Sequence, residues 1–292
     1  MKNFFLALSL ATLFSACQKK TTEEVKTDIQ KEFNSAEGYF AVAFKDLTTG
    51  ETILVNEDSL FHAASTMKTP VMIEVFKQVK EGKFSLHDST EIKNEFKSIV
   101  DSSLYSLERK DDSDTLIYDH LGEKRTVYSL MYDMIIQSSN LATNIMIDKV
   151  GATHAQQTIR EMGTKKMKVL RGVEDNKAYQ AGLNNSVTAY DLMVIFERIA
   201  KHEAVDSTSS AEMIKILLDQ KFNDIIPAKL PTDVKVAHKT GWITGLHHDS
   251  GIVFLPDGRK YVLVLLSKNL KDEDAGVKAM ATVSRMIYDW VR

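Results

Sequence analysis

Ser65 and Lys68 form the only Ser-x-x-Lys sequence in the chain. Residues three apart share one face of a helix, so the two side chains would lie together. A serine hydroxyl becomes a good nucleophile when a base takes its proton, and a lysine with a lowered pKa can be that base. The start of a helix also offers N–H groups to a developing oxyanion. Alone, one such pair is close to a chance occurrence.

Ser138-Ser139-Asn140 is a second polar group, placed between two predicted helices. A hydroxyl and an amide two residues apart on an irregular turn can both point into a cleft. Ser138 would then relay a proton, and Asn140 would hold a substrate amide. The same residue types also cap helices, so this turn by itself has two interpretations.

Lys239-Thr240-Gly241 is the only such triplet, and it is predicted to end a buried strand. Lys239 and Thr240 would bind a carboxylate there, while Gly241 would let a ligand approach the backbone closely. The N–H of Trp242, the next residue, would be a second oxyanion donor. The alternative is an ordinary turn at a strand end.

The hydrophobic pattern predicts which elements carry these motifs. Alternating or apolar runs predict strands over 39–44, 52–55, 234–239, 251–255 and 261–267. Helical periodicity predicts helices over 22–34, 65–79, 126–136, 141–150, 153–162, 188–200, 208–219 and 273–291. The predicted fold class is therefore mixed α/β (α+β), with a five-stranded antiparallel sheet flanked by helices plus an inserted all-helical subdomain. The polar segment 101–125 is predicted to be a solvated loop or hairpin.

In this order, the three motifs resemble those of class A serine β-lactamases and penicillin-binding proteins. The resemblance covers roughly residues 35–291, including the opening hairpin and the Pro-Asp-Gly turn after the third motif. It implies a β-lactamase/transpeptidase-like fold and a serine hydrolase that forms an acyl-enzyme. The family's middle motif is usually Ser-Asp-Asn, and Ser139 replaces that aspartate here.

In the mechanism that this resemblance implies, Ser65 attacks the lactam carbonyl. Lys68, or Glu174 through a water, accepts its proton. Ser138 delivers a proton to the leaving nitrogen, and Asn140 holds the substrate's side-chain amide. The remaining substrate-binding positions, for the carboxylate and the oxyanion, are consecutive: Lys239, Thr240, Gly241 and Trp242.

One loop carboxylate separates a β-lactamase from a penicillin-binding protein. In class A enzymes a Glu in the pattern Glu-x-x-Leu-Asn activates water for deacylation, and Glu174 corresponds to it here. The Leu and Asn do not follow, since Lys177 and Ala178 stand in their places. Asp175 is the fallback base. Otherwise both acids are surface groups paired with Arg171, or Arg171 braces the loop.

Neither a metal nor a cofactor is expected. The strand after the third motif carries His247 and His248 where class A enzymes often place an arginine for the substrate carboxylate. Adjacent side chains on a strand point to opposite faces, so these histidines would not chelate one ion. His248 and Asp249 would instead order the strand beside the cleft.

Composition and charge exclude several classes of protein. The net charge is −3, from 37 basic and 40 acidic residues, which differs from the strongly basic character of a nucleic-acid binder. With 43% hydrophobic residues and 4 prolines in 292, the chain is that of a folded protein of one or two domains. We expect a monomer that acts on a small β-lactam, with no nucleic-acid partner.

The first residues predict export. A basic start, an apolar stretch from Phe4 to Phe14 and small residues before Cys17 are typical of a secretory signal. The cysteine, the only one in the chain, makes it resemble a bacterial lipoprotein signal. We divide the chain into a signal peptide (1–17), a tether with the start of the first helix (18–34, of which 18–24 look like the tether), and a catalytic domain (35–292). A lipid on Cys17 would anchor the protein in the bacterial envelope, facing the periplasm or the cell surface. An ordinary signal peptide is the alternative.

Three functions stay open at the level of sequence. The first is a lipid-anchored β-lactamase that confers antibiotic resistance. The second is a penicillin-binding-type D-Ala-D-Ala peptidase or related serine esterase, which is favoured if Glu174 lies exposed and far from Ser65. The third is a non-enzymatic β-lactam sensor that stays acylated.

Overall fold

A computed structural model describes residues 19–292. The predicted signal segment, with Cys17, lies outside the described residues. Among the residues described, no helix combines the length and apolar character that a membrane span needs.

The five longer strands lie near the two ends of the described chain and form the main sheet. The other strands lie between them in the sequence and form short pairs. In chain order, the strands are β1 (Tyr39–Asp46), β2 (Thr52–Val55), β3 (Phe61–His62), β4 (Ser89–Glu91), β5 (Phe96–Lys97), β6 (Leu104–Tyr105), β7 (Lys124–Thr126), β8 (Ser186–Val187), β9 (Lys235–Ile243), β10 (Leu246–Phe254) and β11 (Lys260–Lys268). The main sheet is antiparallel with the order β2-β1-β11-β10-β9. The predicted five-stranded antiparallel sheet is confirmed.

Most helices lie between β2 and β9 in the sequence, as predicted. They are α1 (Thr22–Phe33), α2 (Lys68–Lys80), α3 (Val127–Ile136), α4 (Asn140–Val150), α5 (Ala152–Glu161), α6 (Asn176–Gln180), α7 (Ala189–Ala200), α8 (Ser207–Leu218) and α9 (Glu273–Val291). Only α6 was not expected, because five residues are too few to display helical periodicity.

The central strands are apolar on both faces because each face meets a separate core. In β1, Ala41 and Ala43 join the core beneath the inserted helices, whereas Val42 and Phe44 join the core beneath α1 and α9. Successive side chains of a strand point to opposite faces, so one apolar run serves both cores. The mixed α/β class follows from this layered arrangement.

Strand β9 is longer than predicted, and the expectation that Lys239-Thr240-Gly241 ends a strand is wrong. The ladder with β10 continues past the triplet to the pair Ile243–Leu246. β9 is also the edge strand of the sheet, so one side of it has no strand partner. That free edge faces the turn that carries Ser65, where an extended ligand can meet backbone groups.

Segment 101–125 is not the solvated loop that its polarity suggests. It buries two apolar and two acidic side chains: Leu107, Ile117, Asp112 and Asp114. It also contains β6, the start of β7 and two 3-10 turns. Polar residues of this segment form hydrogen bonds to neighbouring elements, as the contacts of Asp112 described below show.

At the other end of the described chain, α1 begins at Thr22 with a reciprocal capping box between Thr21 and Glu24. Residues 22–24, assigned to the tether from their composition, are thus the first turn of a helix. The indole Nε1 of Trp290 donates to the carbonyl oxygen of Lys20 at 2.7 Å. The chain is therefore attached to α9 from Lys20 onward.

Candidate active site

Ser65 lies on a 3-10 turn, Ala64–Met67, that leads directly into α2. Ala64 before it has a left-handed backbone, with φ 43°. Such a conformation costs a non-glycine residue of order 1–3 kcal/mol and persists where its surroundings hold it. Gly241 supplies part of those surroundings, since a Cβ there would lie 2.8 Å from Ser65 N. The third motif therefore needs glycine for β9 to lie against the serine turn.

Lys68 is fully buried and joins the first motif to the second. Its Nζ donates to Ser138 O at 2.6 Å, to Ser138 Oγ at 3.2 Å and to Asn140 Oδ1 at 2.9 Å. Burial lowers the pKa of Lys68 to about 7, against the opposing effect of the Asp112 and Glu174 carboxylates. A lysine with this pKa is partly neutral near pH 7, as a proton acceptor must be.

Lys239 brings the third motif to the same hydroxyl. Its Nζ donates to Ser138 Oγ at 3.1 Å and to Thr240 O at 2.8 Å. Burial, together with the nearby Lys68 charge, holds the pKa of Lys239 well below its ordinary value. With both amines donating to the Ser138 oxygen, the hydroxyl proton remains available for a third group.

Asn140 connects Lys68 to Glu174. Its side-chain oxygen accepts from Lys68, and its Nδ2 donates to Glu174 Oε1 at 2.8 Å. Glu174 is half-buried and has a left-handed backbone, with φ 60°. Burial raises the pKa of the Glu174 carboxyl, although the Asn140 hydrogen bond opposes the shift. A carboxylate of raised basicity beside a lysine is suited to taking a proton from water.

Two further predicted residues lie at the cleft. Thr240 Oγ1 is buried and has no hydrogen-bond partner among the described residues. A buried unpaired hydroxyl is costly, so a ligand oxygen at this position would relieve it. Trp242 lies at the mouth with 40% of its surface exposed, and its ring packs edge-on against Phe222. The oxyanion role of the Trp242 N–H stays a prediction.

Arg171 braces the loop that carries Glu174. Its guanidinium donates to Leu183 O at 2.9 Å, Gly172 O at 3.0 Å and Asn184 Oδ1 at 2.9 Å. Within residues 19–292, no salt bridge joins Arg171 to Glu174 or Asp175. The geometry thus favours the bracing interpretation over a surface pairing.

Asp175 lines the same cleft, but its carboxylate is bound by groups outside the network of Lys68, Asn140 and Glu174. Its Oδ1 accepts from Ser98 Oγ at 2.8 Å and Ala178 N at 3.1 Å, and its Oδ2 accepts from Ile99 N at 2.9 Å. Burial opposes its ionisation, but these hydrogen bonds hold the pKa of Asp175 below its ordinary value. Both oxygens are occupied, so the geometry gives no support to Asp175 as the fallback base.

Sequence analysis allowed a hairpin in segment 101–125, but it predicted neither β5 nor the contacts by which the β5–β6 hairpin holds this loop. Besides the contacts of Asp175, Tyr105 OH donates to Val173 O at 3.3 Å, next to Glu174. Asn144 of α4 binds the same residue, accepting from Val173 N at 2.6 Å and donating to Val173 O at 3.0 Å. The strands have two residues each, too few for a sequence pattern; only the Asp175-x-x-Ala178 capping spacing was available as a signal.

The two adjacent histidines on β10 do point apart. His247 Nε2 lies 2.9 Å from Glu273 Oε2, whereas His248 is buried with its Nε2 2.9 Å from His62 O. Burial lowers the pKa of His248 to about 4. Asp249 pairs with His238 Nδ1 at 2.8 Å behind the third motif. The described part of the chain has no group of three side chains suited to hold a metal ion.

These side chains surround a cleft of about 690 Å³. Members of the first two motifs, the loop and the residue after the third motif line it together: Ser65, Ser138, Asn140, Glu174 and Trp242. Lys68 and Lys239 lie behind this lining with their amines at Ser138 Oγ, and Thr240 is buried next to Lys239 on β9. The arrangement provides a serine, a buried amine of lowered pKa and a carboxylate of raised pKa in one space, which is what acyl transfer to and from a serine requires.

Comparisons with known proteins bear on this arrangement. The model of the "Beta-lactamase enzyme family" matches residues 24–291. A beta-lactamase of Bacteroides uniformis is 24% identical, over 100% of both chains. The structure of PBP-A matches with a TM-score of 0.77 and 26% identity, covering 91% of this chain and 95% of its own. A beta lactamase from Xanthomonas campestris pv. campestris matches in fold with a TM-score of 0.81 at 19% identity, covering 93% and 98%.

Proposed function

The chain belongs to the beta-lactamase enzyme family, and we propose that it hydrolyses β-lactams through an acyl-enzyme on Ser65. It is a serine hydrolase that forms an ester between Ser65 Oγ and the lactam carbonyl carbon, then releases the ring-opened acid. The observation that carries the proposal is the chain of contacts from Lys68 through Asn140 to Glu174. It connects the two groups that can accept a proton, the Lys68 amine and the Glu174 carboxylate.

In acylation, Ser65 Oγ attacks the carbonyl carbon and the lactam C–N bond breaks. Lys68, or Glu174 through a water, takes the hydroxyl proton. Ser138, whose oxygen lies 3.2 Å and 3.1 Å from the two lysine amines, delivers a proton to the leaving nitrogen and regains one from Lys68. The N–H groups of Ser65 and Trp242 stabilise the oxyanion, an effect typically worth 10²–10³ in rate for one donor.

Substrate binding falls to residues around this centre. Lys239 and the unpartnered hydroxyl of Thr240 take the substrate carboxylate, Gly241 lets the ligand approach the edge of β9, and Asn140 holds the side-chain amide. In deacylation, Glu174 accepts a proton from the water that attacks the ester. The resulting acid leaves, and the proton returns to Ser65 Oγ.

Intact-mass measurement tests this scheme directly. The domain from residue 19 onward is mixed with excess penicillin and followed for an hour, with Ser65→Ala as control. We expect the wild-type protein to return to its free mass while ring-opened product accumulates, and the Ser65→Ala protein to remain unmodified. Unchanged turnover in Ser65→Ala would rule out the mechanism.

A second outcome separates the alternative functions. A penicilloyl adduct on Ser65 could also persist, and the similarity to PBP-A makes this outcome important to recognise. It would reassign the protein as a penicillin-binding-type peptidase or a β-lactam sensor, both of which acylate without efficient deacylation.

We also propose that the protein is exported and acts as a lipid-anchored monomer in the bacterial envelope. Support comes from the segment before Cys17, with its basic start and apolar stretch. Labelled palmitate should enter the full chain but not a Cys17→Ala variant, which should appear in the soluble fraction. Expression of the full chain should raise the penicillin concentration that a susceptible host survives.

A further inference from the structure

Asp112 is a buried carboxylate that binds the second motif from a distant part of the chain. It is 5% exposed and lies in segment 101–125. Its two oxygens accept from Asn140 N at 2.9 Å and 3.1 Å, and its Oδ2 also accepts from Leu141 N at 2.9 Å. These are N–H groups of the first turn of α4, which no helical carbonyl can satisfy.

The rest of the Asp112 environment completes its hydrogen bonding. Its Oδ1 accepts from Asp114 N at 3.0 Å, and its Oδ2 accepts from Tyr118 OH at 3.1 Å. The next residue, Ser113, donates to Gln137 O at 2.7 Å and to Ser138 O at 3.2 Å. Residues 112 and 113 therefore hold both sides of the turn at Ser138, whose backbone is left-handed with φ 57°.

The second motif lacks the acidic residue that its family usually carries. Ser139 stands there, and its hydroxyl accepts from Ala142 N at 3.2 Å and hydrogen-bonds to the Asp114 carboxyl. We propose that Asp112 supplies this missing carboxylate from another segment and so positions Asn140 between Lys68 and Glu174. The proposal rests on the proposed function and makes Asp112 a positioning residue, since its contacts reach the reacting groups only through Asn140.

Asp112 also contributes to the charge that Lys68 experiences. The charged groups facing the Lys68 amine are the Asp112 and Glu174 carboxylates and the Lys239 amine, with Ser138 and Asn140 as neutral partners. The Asp112 charge favours protonated Lys68, so its removal should lower the pKa of Lys68 further. In a plot of acylation rate against pH, the acid limb is the part where the rate falls as the pH is lowered. This limb would then move to lower pH.

The test compares Asp112→Asn with Asp119→Asn, which neutralises an exposed carboxylate of the same segment. An asparagine side chain has the shape of the aspartate but only one acceptor oxygen. The donors that bind both oxygens of the Asp112 carboxylate would have to share it. We expect Asp112→Asn to slow acylation of Ser65 by about 10- to 100-fold, because small displacements in a reacting site have effects of that size. Its acid limb should move to lower pH, while Asp119→Asn should leave both the rate and the limb unchanged.

A second substitution, which compensates for the first, provides the decisive comparison. Ser139→Asp in the Asp112→Asn background returns a carboxylate to the start of α4. It should recover acylation at least about tenfold if a carboxylate at this helix end is what the site needs. If Asp112→Asn alone does not fold, the double variant still decides, because only it should fold and acylate.

Two results would overturn the proposal: wild-type acylation with an unmoved acid limb in folded Asp112→Asn, or no recovery in the double variant. The acylation rate is expressed per molecule of protein whose Ser65 becomes acylated. Unfolded protein is therefore not counted, and loss of stability alone does not lower the measured rate. Failure of the proposed function would look different. Acylation would then proceed in the wild-type protein with no deacylation, and the effect of Asp112→Asn on acylation could still be measured.

Discussion

At the scale of single residues, the site is governed by two buried lysines that meet at one hydroxyl. Lys68 and Lys239 approach Ser138 Oγ to 3.2 Å and 3.1 Å, and both are fully buried. Two ammonium ions so close together in a buried site repel each other, and burial disfavours each charge further. Burial lowers the pKa of both lysines, and the charge of Lys68 lowers the pKa of Lys239 further. A neutral amine is therefore accessible to the site near neutral pH.

The pH dependence of acylation follows from Lys68. In a Glu174→Gln variant Lys68 is the remaining base, and it accepts a proton only when neutral. Acylation should therefore fall about tenfold per pH unit below a pKa of about 7, and level off above it. Stopped-flow measurement of acylation between pH 5 and 9 checks this, and a rate independent of pH over that range would exclude Lys68 as the base.

Glu174 should matter mainly after the acyl-enzyme has formed. Glu174→Gln keeps the size of the side chain but removes the base, so deacylation should slow by about 10²–10⁴-fold while Ser65 still acylates. The intact mass should show a persistent adduct. Glu108→Gln is the matched control, because Glu108 is another carboxylate lining the cleft but lies exposed. An equal loss in both variants would point to the charge of the cleft rather than to general-base catalysis.

At the scale of elements, the loop that carries Glu174 is held from two sides. Arg171 fixes it from within, and the β5–β6 hairpin fixes it from outside through Asp175. The Leu and Asn of the family's Glu-x-x-Leu-Asn pattern are missing, yet Asn140 still binds Glu174. Contacts from the hairpin and α4 therefore do the orienting in this chain.

Weakening the contacts between the β5–β6 hairpin and this loop should lower both the stability of the protein and the rate of deacylation. Asp175→Asn turns an amide toward the N–H of Ile99 and removes the hydrogen bond of that part-buried donor, at a cost of about 1 kcal/mol. Thermal unfolding should show a lower Tm, and turnover should fall through slower deacylation with acylation nearly unchanged. A lower Tm with unchanged deacylation would mean that the hairpin stabilises the loop without orienting Glu174.

Elements with a clear period were predictable from the sequence, and contacts between distant segments were not. The α9 helix was expected at 273–291 and lies there, since its apolar face repeats over five turns. The three motifs were recognised by residue type, and they do meet at one cleft. Segment 101–125 was misjudged because Asp112 looks like a solvent-exposed residue until the backbone donors that bind it on α4, far away in sequence, are known.

At the scale of the whole molecule, the sheet separates two cores with different tasks. The core beneath the inserted helices supports α2, α3 and α4, which carry the first two motifs. The core beneath α1 and α9 includes Trp290 and Phe44, whose rings pack edge-on at 5.7 Å, and supports no residue of the cleft lining. Changes in the second core should therefore alter stability more than catalysis.

The two tryptophans of the chain provide a test of that division. Trp290→Phe removes the hydrogen bond to Lys20 O and part of a buried ring, and it should lower the free energy of unfolding by about 1–3 kcal/mol. Its kcat/KM, measured well below the Tm, should remain that of the wild type. Trp242→Phe, at the exposed cleft mouth, should leave the free energy of unfolding nearly unchanged. Loss of activity in Trp290→Phe would show that the cores are coupled.

The bond between Trp290 and Lys20 also means that the chain begins and ends its fold at one place. A flexible peptide of a few residues is long enough to join the two ends, and the backbone could then be opened elsewhere. The exposed turn at Gly258, between β10 and β11, offers such an opening. The circular permutant would run from β11 through α9 directly into α1, and it should keep the same cleft.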